Sequence, residues 1–159
     1  MMFGLSLHAL TQFHVAISLI AILAGVVFFA RLAGGHWLGL VNTLFLAFTI
    51  LTSVTGFMFP PKPIGPPHIF GVVSLLLLVV ALYALYGGGL AGRWRPVYLF
   101  TALIAQWLNM VVLVVQSFQK VPALHALAPT GGEPVVLATQ VVLLAAVALA
   151  GWKVLRRAG

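Results

Sequence analysis

Long uncharged apolar stretches constrain this chain more than any motif does. Only eight Lys/Arg and one acidic residue occur among its 159 residues, and they separate five apolar stretches. A stretch of about 18 or more apolar residues is the length that a helix needs to cross the hydrocarbon core of a bilayer. With a hydrophobic content of 63%, the chain also lacks the polar surface of a water-soluble domain. The sequence therefore predicts an all-α integral membrane protein.

The residues between these stretches predict where the helices begin and end. Arg31 follows the first stretch, a proline-rich segment at 60–67 follows the second, and three glycines at 87–89 follow the third. Pro96 opens the fourth, because proline is favoured in the first turn of a helix. We expect one transmembrane domain covering residues 1–159, a bundle of five helices at about 6–30, 37–59, 68–86, 96–118 and 133–155.

The basic residues predict how these spans are oriented. Cytoplasmic loops carry an excess of Lys and Arg, and five spans leave the two termini on opposite sides of the membrane. An external N-terminus leaves only Lys62 and Lys120 outside. It places the other basic residues inside: Arg31, Arg93, Arg95, Lys153, Arg156 and Arg157. We therefore expect the N-terminus outside and the C-terminus in the cytoplasm.

Aromatic residues and the spacing of the charges support the same orientation. Aromatic belts mark membrane interfaces, and one group is expected at the inner interface: Trp37, Tyr83, Tyr86, Trp94, Tyr98 and Trp152. The basic residues are scattered singly or in pairs rather than gathered into a patch. We therefore expect the lipid bilayer as a partner and no nucleic acid.

Missing residue types exclude several kinds of chemistry. Without cysteine, the chain has no disulfide, thiolate ligand, iron–sulfur cluster or cysteine nucleophile. With Glu133 as the single acidic residue, it has no carboxylate pair for catalysis, and no Ca²⁺ or Mg²⁺ cage is expected. The sequence at 130–133, Thr-Gly-Gly-Glu, matches a capping box, which predicts Glu133 as a helix cap. No motif names a reaction, so the sequence leaves open whether this chain is an enzyme.

Polar residues on the external side form the candidate site. His14 lies about one turn inside the first span, and His68 follows two prolines at the start of the third. Asn109 and Gln116 are seven residues apart and share a face of the fourth span, which Lys120 follows. We expect these five side chains to line a polar cleft open to the periplasmic face. Other polar residues expected on that side are His8, His125, Thr49, Thr52, Ser53 and Thr55.

Each of these residues also has a purely structural interpretation. A single histidine within a span is often a packing residue held by a hydrogen bond, and amides or hydroxyls often only join helices. The external segment 118–130 is apolar enough to form a short helix on the membrane surface. That segment is either a lid over the cleft or a passive connection.

Three segments carry a resemblance to known proteins. They are Thr-Ser-Val-Thr-Gly-Phe at 52–57, His-Ile-Phe-Gly at 68–71, and the stretch from Leu108-Asn109 to Ala123-Leu124. Together they resemble a group of small bacterial polytopic membrane proteins that are described as hypothetical. The resemblance covers most of the chain and implies a multi-pass protein of the bacterial inner membrane. It implies no activity and no functional residue.

The first functional hypothesis is a redox role. His14 and His68 would be the axial ligands of a b-type haem, or the hydrogen-bond partners of a quinone headgroup. In the quinone case, Asn109 and Gln116 would bind a carbonyl oxygen. Lys120 would then stabilise the negative charge that develops on the ring.

Two other hypotheses stay open. One is a non-catalytic structural or assembly subunit of a larger membrane complex, with partner membrane subunits. The other is a copper or zinc site built from His14 and His68, together with His8 and His125, because these ions accept imidazole without carboxylates. His8 and His14 are six residues apart, which places them on different faces of a helix and argues against chelation by that pair.

Overall fold

Helices make up all the regular structure of residues 6–59 and 64–157, the part of the chain that our computed structural model describes. No strand occurs within these ranges, which confirms the all-α prediction. Five of the helices are long and apolar enough to cross a membrane, as a multi-pass membrane protein requires. Lys62 lies outside the described residues.

The helix boundaries follow local signals in the sequence. In chain order the helices are α1 (Leu7–Ala33), α2 (Gly39–Gly56), α3 (Pro66–Leu82), α4 (Trp94–Lys120), α5 (Pro122–His125) and α6 (Pro134–Arg156). A π-helical turn at Tyr83–Gly87 extends α3. Arg31 lies in the last turn of α1 rather than beyond it, and Pro96 is the third residue of α4 rather than its first. Proline fits there because the first N–H groups of a helix have no helical acceptor.

The five long helices pack in a closed order. α1 contacts α2, α2 contacts α3, α3 contacts α4, α4 contacts α6, and α6 returns to α1. α1 and α4, which are both neighbours of α6, also contact each other. Large side chains fill the space between the helices, and Phe28, Phe45, Leu78, Tyr98 and Leu99 are all buried. Several polar side chains share this interior, among them Asn42, Thr49, Ser53, Thr55 and Gln106.

Different residues collect at the two ends of the helices. Arg157 of the α6 end lies against Gly35 in the turn after α1, and His14 near the start of α1 contacts Thr55 near the end of α2. We call one end the arginine end, after Arg31, Arg93, Arg95, Arg156 and Arg157. We call the opposite end the His14 end; it carries His8, His14, Thr55, His68, Lys120 and Glu133.

Gly25 permits the close approach of α1 and α4. The buried side chain of Gln106 crosses from α4, and its Nε2 donates to the Ile22 carbonyl oxygen of α1 at 3.0 Å. A Cβ atom on Gly25 would overlap the Gln106 amide and lie 2.9 Å from Cδ2 of Phe45. Small residues commonly allow such backbone approach between membrane helices. Gly25 therefore leaves the space that the Gln106 amide occupies.

We predict that Gly25→Ala destabilises the fold, because the new methyl group displaces the Gln106 amide or the Phe45 ring. Overpacking of this kind costs about 1–3 kcal/mol. The free energy of unfolding in mixed micelles measures the effect. Gly39→Ala is the matched control, since its Cβ would meet only Nε1 of Trp37 at 3.8 Å. Equal stability of the two variants would contradict this packing.

The connection before α6 ends in a turn closed by a carboxylate. Oε1 of Glu133 accepts from the backbone N–H of Thr130 at 2.9 Å and from its hydroxyl at 2.8 Å. Glu133 occupies the N-cap position of α6, but its side chain makes no capping bond to the helix, so the predicted capping box with Thr130 at the N-cap does not form. The hydrogen bonds from Thr130 lower the pKa of this carboxyl. The bond from its backbone N–H has the largest effect, and the bond from its hydroxyl adds to it.

We predict an NMR titration of the Glu133 carboxyl with a midpoint below the ordinary value for glutamate. The turn is fully stabilised above that ordinary value and weakens as the pH falls through the lowered pKa. Thr130→Val removes one of the two donors, so it shifts the midpoint upward. Thr139→Val is the control, since the Thr139 hydroxyl donates only to Val135 of its own helix. An unshifted midpoint in Thr130→Val would contradict the proposed cause.

Candidate functional site

A hydrogen bond to Thr55 orients the imidazole of His14. Nδ1 of His14 lies 2.7 Å from Oγ1 of Thr55. The Thr55 hydroxyl also lies 2.8 Å from the Leu51 carbonyl oxygen of its own helix. A threonine hydroxyl within a helix commonly donates its one proton to such a carbonyl, so we assign Thr55 as the acceptor of the N–H at His14 Nδ1. The neutral ring then carries its free lone pair on Nε2.

The rest of the His14 ring is held by packing. The ring is half-buried, and it packs edge-to-face with Phe59 at a centroid distance of 5.2 Å and an interplanar angle of 84°. Thr55 and Gly56 flank it on α2, and Lys120 lies within electrostatic range. A fixed tautomer on a fixed ring makes Nε2 of His14 an available hydrogen-bond acceptor or metal ligand.

His68 forms a different kind of hydrogen bond from that of His14. It is the third residue of α3, and its Nδ1 accepts from the backbone N–H of Gly65 at 3.4 Å. The neutral ring therefore keeps its proton on Nε2 and offers no lone pair there. Its centroid lies 6.2 Å from that of Phe57, whereas His14 contacts Phe59. The structure gives the two histidines separate partners, and ligation by both of them stays a prediction.

The polar residues of α4 fall into two groups. Asn109 donates from Nδ2 to Oγ1 of the buried Thr49 at 3.2 Å, so Asn109 joins α4 to α2 halfway along the helices. Gln116 lies two turns further on the same face, toward the His14 end. Its side-chain oxygen is buried and has no hydrogen-bond partner among the described residues. Lys120 is exposed at the last residue of α4.

Tyr98 and Asn42 form a buried pair that the sequence did not predict. Tyr98 was expected at the membrane interface, but its side chain is fully buried and its hydroxyl donates to Oδ1 of Asn42. The ring also packs near Trp37, at a centroid distance of 5.8 Å. Asn42 in the first turn of an apolar helix was the available signal. This pair lies toward the arginine end, away from His14.

The remaining candidate histidines are exposed. His8 lies in the first turns of α1, and His125 ends α5. Within residues 6–59 and 64–157, no group of three or more His or Glu residues is placed to hold a metal ion. The segment around α5 packs on α4 and α6 through Leu124 and Ala128, which contact Phe118 and Val136. The histidines thus give a copper or zinc site no geometric support in these ranges.

Comparisons with known proteins do not assign the site. No family model, no curated protein and no solved structure matches this chain.

We predict that Thr55→Val loosens the His14 ring, because valine keeps the shape of threonine and removes the acceptor. Interhelical hydrogen bonds of this kind contribute on average about 0.6 kcal/mol and at most about 1.7. The free energy of unfolding and the ¹⁵N shifts of His14, which report its tautomer, measure the loss. The control is Thr43→Val, whose hydroxyl donates only to Gly39 of its own helix. Unchanged ¹⁵N shifts in Thr55→Val would contradict the assigned tautomer.

Proposed function

We propose that this chain is a multi-pass protein of the bacterial inner membrane that binds a quinone-class headgroup at the His14 end, preferentially in its reduced quinol form. The hydrogen bond from His14 to Thr55 carries this proposal. It leaves a lone pair on Nε2 of His14, and a quinol hydroxyl is a donor that matches it. A neutral quinone has only acceptors, so the reduced form fits this tautomer better.

Gln116 supplies a second acceptor. Its buried side-chain oxygen lacks a partner, and such an atom costs free energy until a donor reaches it. A quinol carries two hydroxyl groups on opposite sides of its ring. We propose that one donates to His14 and the other to Gln116. Asn109 is occupied by Thr49, and we assign it to helix packing instead.

Lys120 and Phe59 complete the proposed site. Loss of a quinol proton leaves negative charge on the oxygen, which the nearby ammonium of Lys120 stabilises. The Phe59 ring provides an aromatic contact beside the imidazole. In this role His14 accepts a hydrogen bond from one quinol hydroxyl and binds the reduced headgroup without changing its oxidation state.

We further propose a five-helix bundle with the N-terminus outside, which places the His14 end at the periplasmic face. The support is the unequal distribution of basic residues between the two ends, because the cytoplasmic side carries the larger share. The five arginines lie at the arginine end together with Lys153. Lys120 is the one basic residue of the described ranges at the other end.

A bis-histidine haem is less well supported than a quinol. It requires a lone pair from both imidazoles, directed at one iron atom. The Gly65 contact uses the Nδ1 lone pair of His68, and its ring packs on a different aromatic residue from that of His14. Ligation by His68 would need a change of tautomer and of partner.

Subunit assembly is the second candidate, and one observation favours it. α6 contacts only α1 and α4 among the long helices, and 11% of its membrane window is buried, against 39% for α4. Ala138, Ala145 and Ala148 are exposed along it, and small residues of this kind permit close approach by a partner helix. This role is compatible with quinol binding, since none of the residues proposed to bind the quinol lies on α6.

We predict that the purified protein binds ubiquinol or menaquinol in detergent, and that His14→Ala and Gln116→Leu each weaken binding about tenfold. That factor corresponds to the loss of one hydrogen bond of about 1.4 kcal/mol. Equilibrium binding of the reduced quinol, followed by intrinsic tryptophan fluorescence, measures it. His8→Ala is the control, because His8 lies on the same helix but is exposed.

Three outcomes would contradict the proposal. The first is equal affinity for the reduced and oxidised forms, and the second is wild-type binding by His14→Ala. The third is a Soret band in the purified protein that disappears in both His14→Ala and His68→Ala, which would establish the haem hypothesis instead.

A further inference from the structure

A basic groove lies at the arginine end, far from His14. It is an open cavity of about 350 Å³ between the ends of α1 and α6, lined by Ala33, Trp152, Lys153, Arg156 and Arg157. The guanidinium of Arg156 stacks over the Trp152 ring, 4.6 Å from its centroid. Arg157 reaches across to Gly35, in the turn that follows α1. Three cationic side chains thus surround one cavity.

The charges of this groove are not balanced by acidic side chains. Glu133 is the only acidic side chain in the sequence, and it lies at the His14 end. Two helix C-termini, those of α1 and α6, meet here, and each carries roughly half a negative charge. Three cations against about one negative charge leave a net charge of about +2. The groove therefore attracts an anion, with the two helix ends reducing but not cancelling the attraction.

The geometry favours a phosphate group. Guanidinium groups bind phosphate oxygens in a two-pronged arrangement, and an ammonium adds a point charge. The cation–π contact holds the Arg156 guanidinium beside the groove, which reduces the freedom it loses on binding. Trp152 and Ala33 give the groove an apolar wall, and Trp152 is exposed on the outer side of α6. An acyl chain can continue along that apolar surface, whereas a free phosphate gains nothing from it.

We infer that this groove binds the phosphate of an anionic phospholipid. Juxtamembrane Lys and Arg residues recognise such headgroups, and basic pockets between membrane helices do so with some specificity. The site is independent of the proposed quinol site, since it shares no residue with it and lies at the opposite end. An inorganic phosphate ion would make the same ionic contacts as a phospholipid headgroup but not the apolar contact of the acyl chain. This difference allows an experiment to distinguish the two ligands.

The test compares two double variants that each lose two positive charges. Lys153→Gln with Arg156→Gln removes cations that line the groove. Arg93→Gln with Arg95→Gln is the matched control, because it removes one cation just before α4 and one from its first turn, at the same end but outside the groove. The full chain in neutral detergent is titrated with phosphatidylglycerol, phosphatidylcholine or sodium phosphate. Native mass spectrometry counts bound lipid, and the melting temperature without lipid establishes that each variant folds.

We expect phosphatidylglycerol binding to fall on the order of tenfold to thirtyfold in the groove variant and less than twofold in the control, given about 1 kcal/mol per basic residue near a membrane surface. Equal losses in the two variants would overturn the inference, because they would indicate general surface charge. Equal binding of phosphatidylcholine would overturn it too. If millimolar phosphate displaced the lipid, the groove would be a site for inorganic phosphate, and its assignment to a phospholipid would be overturned.

Discussion

Buried polar groups of this protein must find partners inside it, because a hydrocarbon environment offers no water to satisfy them. Gln106 reaches the Ile22 carbonyl, Asn109 reaches Thr49, and His14 reaches Thr55. Each bond joins two different helices. Lipid tails are as apolar as the helix surfaces, so apolar burial alone holds membrane helices together weakly, and directional bonds with close packing fix their register. The position of His14 relative to α2 therefore depends on the same kind of contact that holds α1 against α4.

Local features of the sequence predicted the helices, but they did not predict the contacts between helices. Apolar length and proline placement depend on neighbouring residues, and the five long helices appear where the apolar stretches lie. The hydrogen bonds from His14 to Thr55 and from Gln106 to Ile22 join residues 41 and 84 positions apart. The apolar periodicity of a sequence does not reveal which distant residues pair. Tyr98 shows the limit most clearly. Its amphipathic side chain suits an interface, but Asn42 offers its hydroxyl a buried partner, and the ring fits the interior.

The candidate site was predicted in part for the same reason. His14, His68, Gln116 and Lys120 were selected because polar groups in or beside spans are costly, and all four lie at one end of the helices. Their roles depend on hydrogen-bond partners that the sequence does not reveal. Thr55 is the acceptor that we assign to Nδ1 of His14, while the backbone N–H of Gly65 donates to Nδ1 of His68. Two histidines that look equivalent in the sequence thus have opposite hydrogen-bonding character at Nε2.

The two proposed sites would recognise their ligands by different physical means. At the His14 end, one lone pair and one amide oxygen without a partner would select the proposed quinol by the positions of its hydrogen-bond donors, largely independently of salt. At the arginine end, three cations would select the proposed lipid by charge, and salt screens that attraction when the groups are exposed. A lipid bound between α1 and α6 would also support α6, the least buried of the long helices. Since α6 contacts both α1 and α4, which carry His14 and Gln116, a lipid bound there would stabilise the helices that present the proposed quinol site without contacting that site.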